Sequence, residues 1–121
     1  MAFDWTEYLK LANYIQQQGS KSNLNREAAY RCAVSRAYYA AFCYARNHAR
    51  DNRGFQPGYN AEDHEALPDF FDGIKKSDVA DALLDLRQWR NSCDYHDRTP
   101  RNLTMMSVAA ISTAGSIISK A

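Results

Sequence analysis

The chain is short of most features that assign a protein to a class at a glance. No apolar run is expected to be long enough to span a bilayer, so no membrane segment is expected. The amino terminus, Met1-Ala2-Phe3-Asp4-Trp5, has no basic stretch followed by an apolar one, which argues against a secretory signal. Net charge is only +1 over 121 residues, so bulk charge draws the chain to no polyanion, and any such binding needs a local patch. Cysteine is scarce. Cys32, Cys43 and Cys93 are an odd number in scattered apolar contexts, which argues against a disulfide scaffold. They read as reduced core thiols of a cytoplasmic protein. No internal repeat, no low-complexity tract and no sustained strand-like alternation is present. Metal-ligand spacing is also missing. Glu62, His64 and Glu65 do not give the Glu-x-x-His pairs of a di-iron bundle, and His48 stands alone. Neither a metal nor a cofactor is expected.

What is there is helical periodicity, enough for one all-α domain of about five helices. The first helix runs from Asp4, a plausible N-cap, to about Gln18, with Trp5, Tyr8, Ala12 and Ile15 as its apolar stripe. Gly19-Ser20-Lys21-Ser22 ends it. A second helix starts near Asn23 or Asn25 and reaches about Arg50. Asp51 through Tyr59 is a polar loop. A third helix, about Ala61 to Lys75, is expected to be strained or interrupted at Pro68. Ser77 can cap a fourth, striped by Val79, Leu83, Leu86 and Cys93 and closed by Arg98-Thr99-Pro100. A fifth, about Leu103 to Ser119, is rich in small residues that favour close packing. The prolines Pro57, Pro68 and Pro100 fall at expected boundaries.

Two segments stand out. From Cys32 to Ala45 the obviously polar side chains are Ser35 and Arg36, so this helix is central in its bundle, or central and also buried in an oligomer. Arg36 within it either snorkels or meets a carboxylate such as Asp94, or else it lines a polar pocket or subunit interface. The second segment is Arg87-Gln88-Trp89-Arg90-Asn91-Ser92-Cys93-Asp94-Tyr95-His96. Arg holds phosphate charge in bidentate geometry, and His moves a proton near neutral pH, so the pair suits phosphodiester chemistry. His96 lies six positions beyond Arg90, roughly 120° around and about 9 Å along an ideal helix. One rigid helix does not join them, but a bridging phosphate, a frayed end or a second copy does. The plain alternative is an Arg90–Asp94 ion pair with an exposed His near a helix C-terminus. Cys93 between these groups reads as a packed thiol. His64, between Asp63 and Glu65, suits a solvated helix face as well as an acid–base role. Arg46, Arg50 and Arg53 offer a phosphate-contacting patch or simply a solvated face.

The chain resembles the HEPN domain family over most of its length. The likeness lies in Phe3-Asp4-Trp5 with Tyr8-Leu9, in Glu27-Ala28 and Arg31, and in Ala33-Val34-Ser35-Arg36-Ala37-Tyr38-Tyr39-Ala40-Ala41-Phe42. It continues through His64 to Leu86-Arg87 and Arg90-Asn91 with Asp94-Tyr95-His96. Arg90 and His96, with five residues between, fit the family's Arg-to-His signature. The resemblance implies an antiparallel four-to-five-helix up-and-down bundle that forms a homodimer through the signature helices. It implies a metal-independent endoribonuclease in which the ribose 2′-hydroxyl attacks the adjacent phosphate. Arg90 would stabilise the phosphate, His96 would act as acid or base, and Asn91 would orient the phosphate or the imidazole. Arg36, Asp94 and Tyr95 would support them. Implied partners are RNA or a nucleotide, and a nucleotidyltransferase-like antitoxin. Members in which His does not follow Asp-Tyr use the same segment structurally, so a non-catalytic module binding RNA, nucleotide or a partner protein is the alternative.

Overall fold

The computed structural model describes residues 3–19, 21, 23–99 and 102–121, and among these no residue is in a strand. Five helices follow in order: α1 Thr6–Gln18, α2 Arg26–Asn52, α3 Asp63–Gly73, α4 Ser77–Tyr95 and α5 Leu103–Lys120. The boundary residues Ser20, Ser22 and Pro100, and the terminal Met1 and Ala2, lie outside the described residues.

Local chemistry sets the ends. Asn25 caps α2, its side chain accepting from the Ala28 N–H at 3.0 Å, and Asn102 caps α5 by accepting from Met105 at 3.2 Å. Asp4 acts one residue earlier than expected. Trp5 occupies the N-cap position, while the Asp4 carboxylate accepts from the Thr6 N–H and hydroxyl. Ser77 is the first helical residue of α4 rather than its cap, a position held by Lys76. Pro68 does not interrupt α3. It sits buried inside the helix, removing one backbone donor, and packing keeps the turn intact. A left-handed Lys75, φ 63°, ends that helix two residues beyond Gly73.

Contacts between helix ends give the directions. Gly19, at the end of α1, meets the start of α2 so closely that a Cβ there would lie 2.9 Å from the Tyr30 ring. Arg31, near the start of α2, donates to the Cys93 carbonyl near the end of α4 at 3.0 Å. Lys76, just before α4, donates to the Lys120 carbonyl at the end of α5, while Arg53, just after α2, donates to Ala121. So α1 and α4 run one way and α2 and α5 the other: an up-and-down bundle of four long helices, with short α3 packed on α4.

The long helix α2 is the axis, and it contacts α1, α4 and α5. Alanines let neighbours approach: Ala33, Ala37, Ala40, Ala41, Ala45 and Ala49 are fully buried on it, and Ala110 and Ala114 on α5. Larger side chains, Tyr38, Leu67, Phe71, Leu83, Leu86 and Met106, fill the remaining volume. The apolar sides of α2 are therefore covered within one chain, the first of the two readings its sequence allowed.

Two expectations need correction. Cys43 and Cys93 are buried, but Cys32 is exposed on α2; all three are free. By length and composition α5 can cross a membrane, with a mean hydropathy of 1.2 over 18 residues. Its serines and threonines hide this from a search for uninterrupted apolar runs. In the bundle it packs on α2 and α4 through Met106, Ser107, Ala110, Ala114 and Ile117.

Candidate functional site

The second half of α4 faces α2, and Arg90 is its hub. Its Nε donates to Asp94 Oδ2 at 2.9 Å, one turn on, and its Nη1 to Asn91 Oδ1 at 3.0 Å. Its Nη2 reaches the hydroxyls of Tyr39 at 2.6 Å and Tyr95 at 3.3 Å. The rings of Tyr39 and Tyr95 lie 5.1 and 5.3 Å from the guanidinium carbon, within cation–π range. The Arg90 side chain keeps 15% of its exposure and Asp94 keeps 27%, so this is a half-buried pair at a surface. Ser35 completes it by donating to Asp94 Oδ2 at 3.2 Å. A guanidinium held by this many partners is rigid and still reachable, which suits an anion contact.

The other proposed residues divide. Asn91 orients Arg90 through its side-chain oxygen, rather than any imidazole. Tyr95 covers Arg90 from outside and is 70% exposed. Arg36 joins no carboxylate among the described residues. Asp94 is taken by the neighbouring Ser35, and the Arg36 guanidinium lies 5.4 Å from the Tyr8 ring and 5.9 Å from the Tyr39 ring. Its Nε is buried with no hydrogen-bond partner. Arg36 and Arg90 thus share the Tyr39 ring, so both belong to one cationic and aromatic cluster.

His96 is the C-cap of α4, with extended backbone and an exposed side chain. Its ring makes no hydrogen bond among the described residues, and it is not one of the groups that hold Arg90. Its backbone is fixed by Arg31, which sequence reasoning assigned no role. Arg31 donates to the carbonyls of Cys93 at 3.0 Å, His96 at 2.6 Å and Asp97 at 2.7 Å. These are the free carbonyls at the end of α4, and a cation there also meets the negative end of the helix dipole. Glu27 lies 3.2 Å from Arg31 Nε, without hydrogen-bond alignment. In the sequence Arg31 stood only as one of the residues of the family likeness, and no spacing rule links it to α4.

His64 was read as a solvated-face residue as readily as an acid or base. The structure removes the solvated face. Its ring stacks on Phe42 at 4.4 Å between centroids, and its Nδ1 bonds the buried Tyr38 hydroxyl. Burial lowers its pKa below the ordinary 6.5, and Arg87 and Arg90 lower it further. Burial pushes the Tyr38 phenol up, against the pull of the same two arginines. An i, i+4 comparison within α3 cannot show this, because the partners come from α2 and α4. Cys93 is a packed thiol, pushed up to about 11 by burial, which leaves no thiolate for nucleophilic work at neutral pH. Among the described residues no group of three or more His, Cys, Asp or Glu side chains could hold a metal ion.

No family model matches the chain, and no solved structure matches it. An uncharacterised protein of the archaeon Methanocaldococcus jannaschii is 28% identical over 116 residues, an alignment covering 81% of this chain. The match spans 66% of the archaeal protein's length, just under two thirds.

Proposed function

We propose that this chain is a HEPN-like RNA-processing protein, active in the cytoplasm as a homodimer, with Arg90 contacting the phosphodiester. The observation that carries this reading is the state of Arg90: a cation held by Asp94, Asn91 and Tyr39, yet still open at the surface. The phosphate sits on the guanidinium, and the ribose 2′-hydroxyl attacks the phosphorus as its proton leaves. The bond to the 5′-oxygen breaks, and that oxygen takes a proton. His96, supplied by a second copy, carries the proton, because six residues along one helix turn it about 120° from Arg90. Leu84 and Tyr95, both exposed on α4 eleven residues apart at helical spacing, support a second copy on this face. The core-facing side of α2 is covered within one chain, so burial of that side is not a reason for the dimer. A nucleotidyltransferase-like antitoxin is the partner proposed with the toxin form of this activity.

One observation favours a second reading, binding without cleavage. Asp94 already pairs with Arg90, which offsets its charge, and among the described residues the His96 ring has no hydrogen-bond partner that would orient it. Incubation of the purified protein with mixed RNA in chelator, beside His96→Ala, separates the two. Cleavage by the native chain and a loss of roughly two to four orders of magnitude in the variant support catalysis. Equal cleavage by both removes His96 from the chemistry. Intact RNA with both, but retained by the protein on a filter, supports the binding module.

A further inference from the structure

An exposed tyrosine is normally free to sample rotamers, and a tyrosine rarely adopts left-handed backbone. Tyr59 breaks both habits. Its φ is 56°, and it is 61% exposed. Three separate groups hold it there. The buried carboxylate of Asp63 accepts from the backbone N–H of Gly58 at 2.9 Å and of Tyr59 at 2.8 Å. Arg50 donates to the Tyr59 hydroxyl at 2.9 Å, and the Arg46 guanidinium lies 5.2 Å from one face of the ring. Asp63 is spent on this turn, since it makes no ion pair among the described residues. None of these contacts fills the core. Together they fix an aromatic ring at the surface against its backbone preference, and strain of that kind gathers at sites that use it.

The ring borders a cleft of about 260 Å³ between α2, the 58–63 turn and the start of α3, lined also by Tyr39, Asn60 and His64. The cleft is short of negative charge. Arg46 and Arg87 make no ion pair among the described residues, Arg90 has Asp94 alone, and all three lower the pKa of His64. Around the imidazole stand Tyr38 and Arg46 from α2, Asp63 from α3, and Arg87 and Arg90 from α4. Three guanidinium groups stand against two carboxylates, Asp63 and the Asp94 that pairs with Arg90, so the cleft keeps a net positive charge that an anion would offset. Among the described residues the Arg46 Nη donors have no hydrogen-bond partner, its Nε being used on Asn47, and His64 Nε2 has none either. A held aromatic plate beside unpaired cationic donors suits a planar ring joined to a phosphate.

We infer that this cleft binds one nucleotide unit, its base stacked on Tyr59 and its phosphate on Arg46 and His64. The unit is either a free nucleoside monophosphate or one residue of an RNA strand. The inference goes beyond the reading above and does not depend on cleavage.

The test is calorimetric titration of the full chain with adenosine 5′-monophosphate, inorganic phosphate and a short oligoribonucleotide. Native protein, Tyr59→Gly and Arg46→Gln are compared, with circular dichroism to confirm the fold. Glycine accepts left-handed backbone, so Tyr59→Gly removes the plate without adding strain. It should weaken adenosine 5′-monophosphate about tenfold or more, the usual scale of one base–aromatic stack, and leave inorganic phosphate unchanged. Arg46→Gln should weaken both. Binding of the oligoribonucleotide but not the mononucleotide, still sensitive to Tyr59→Gly, identifies the RNA strand as the source. Mononucleotide bound as tightly as oligoribonucleotide identifies the free nucleotide. Failure of the native chain to bind either nucleotide ligand overturns the inference. So does equal binding by native protein and Tyr59→Gly, and an oligoribonucleotide bound equally by both leaves the RNA reading standing while the cleft assignment falls.

Discussion

At the scale of single residues, Arg90 is as much a structural group as a chemical one. Arg90→Ala removes the partner of Asp94 and the hydrogen bonds to Asn91 and Tyr39. The loss should be about 2 kcal/mol, the range for hydrogen bonds to charged groups in a half-buried setting, and urea unfolding would read it. Any loss of activity in that variant therefore needs a stability correction, which His96→Ala, an exposed ring with no bonded partner, does not. His64 gives a pH effect whose sign follows from its burial. Its folded pKa lies below the unfolded 6.5, so the folded chain holds its proton less well than the unfolded chain does. Its contribution to stability is fully present above pH 6.5 and fades as pH falls through the interval down to the folded value. Chemical denaturation from about pH 7.5 down to about pH 5, a range that spans the ordinary imidazole value, should show this decline in the native chain. The decline should be smaller in His64→Gln, and an identical pH profile in the two proteins would remove His64 from the account.

Among helices, the caps and the axis carry the energetics. Arg31 ties the last carbonyls of α4 to α2, so Arg31→Met should loosen residues 93–97 while leaving the rest of α4 in place. Hydrogen exchange should show faster amides there and a global loss of about 1–2 kcal/mol. Lys75 is a left-handed, exposed residue at the end of α3. Lys75→Gly should stabilise the fold by roughly 1 kcal/mol, measurable as a higher Tm, because glycine meets no Cβ penalty in that conformation. In the core, Leu86→Ala at a fully buried site should cost about 2–5 kcal/mol.

Much of this scale was legible in the sequence. The apolar spacing of α1, α2 and α4 falls where local chemistry places it, and α2 begins at Asn25, one of the two starts its sequence offered. What escaped depended on partners distant in the chain. Pro68 looked like a break, yet burial holds α3 together around it. For Arg36 a carboxylate such as Asp94 was one of several partners left open, yet Ser35 bonds Asp94 and Arg36 lies by Tyr8 and Tyr39. The Arg90–Asp94 pair was visible as i, i+4 spacing within a single element, whereas Asn91 and Tyr95 were tied to Arg90 only through the family resemblance. The role of His64 was not, because Phe42, Tyr38, Arg87 and Arg90 reach it from two other helices.

At the scale of the whole molecule, α2 and the three long helices around it make a folded unit that needs no second copy to cover its core. A dimer is therefore a functional proposal, centred on the exposed side of α4 with Leu84 and Tyr95. Sedimentation at micromolar concentration should find two copies, and Tyr95→Glu should shift the balance towards one without unfolding the chain. Only monomer in the native protein would remove the composite arrangement of Arg90 and His96.

The central claim is that the chain cleaves RNA through its own 2′-hydroxyl. The most direct measurement is the product end. Purified native protein is given an oligoribonucleotide and its fully 2′-deoxy counterpart in chelator, and the fragments are weighed by mass spectrometry. The account predicts a 2′,3′-cyclic phosphate on the RNA fragment and no cleavage of the deoxy strand. Cleavage of both strands, or RNA fragments ending in a plain 3′-hydroxyl, would contradict it.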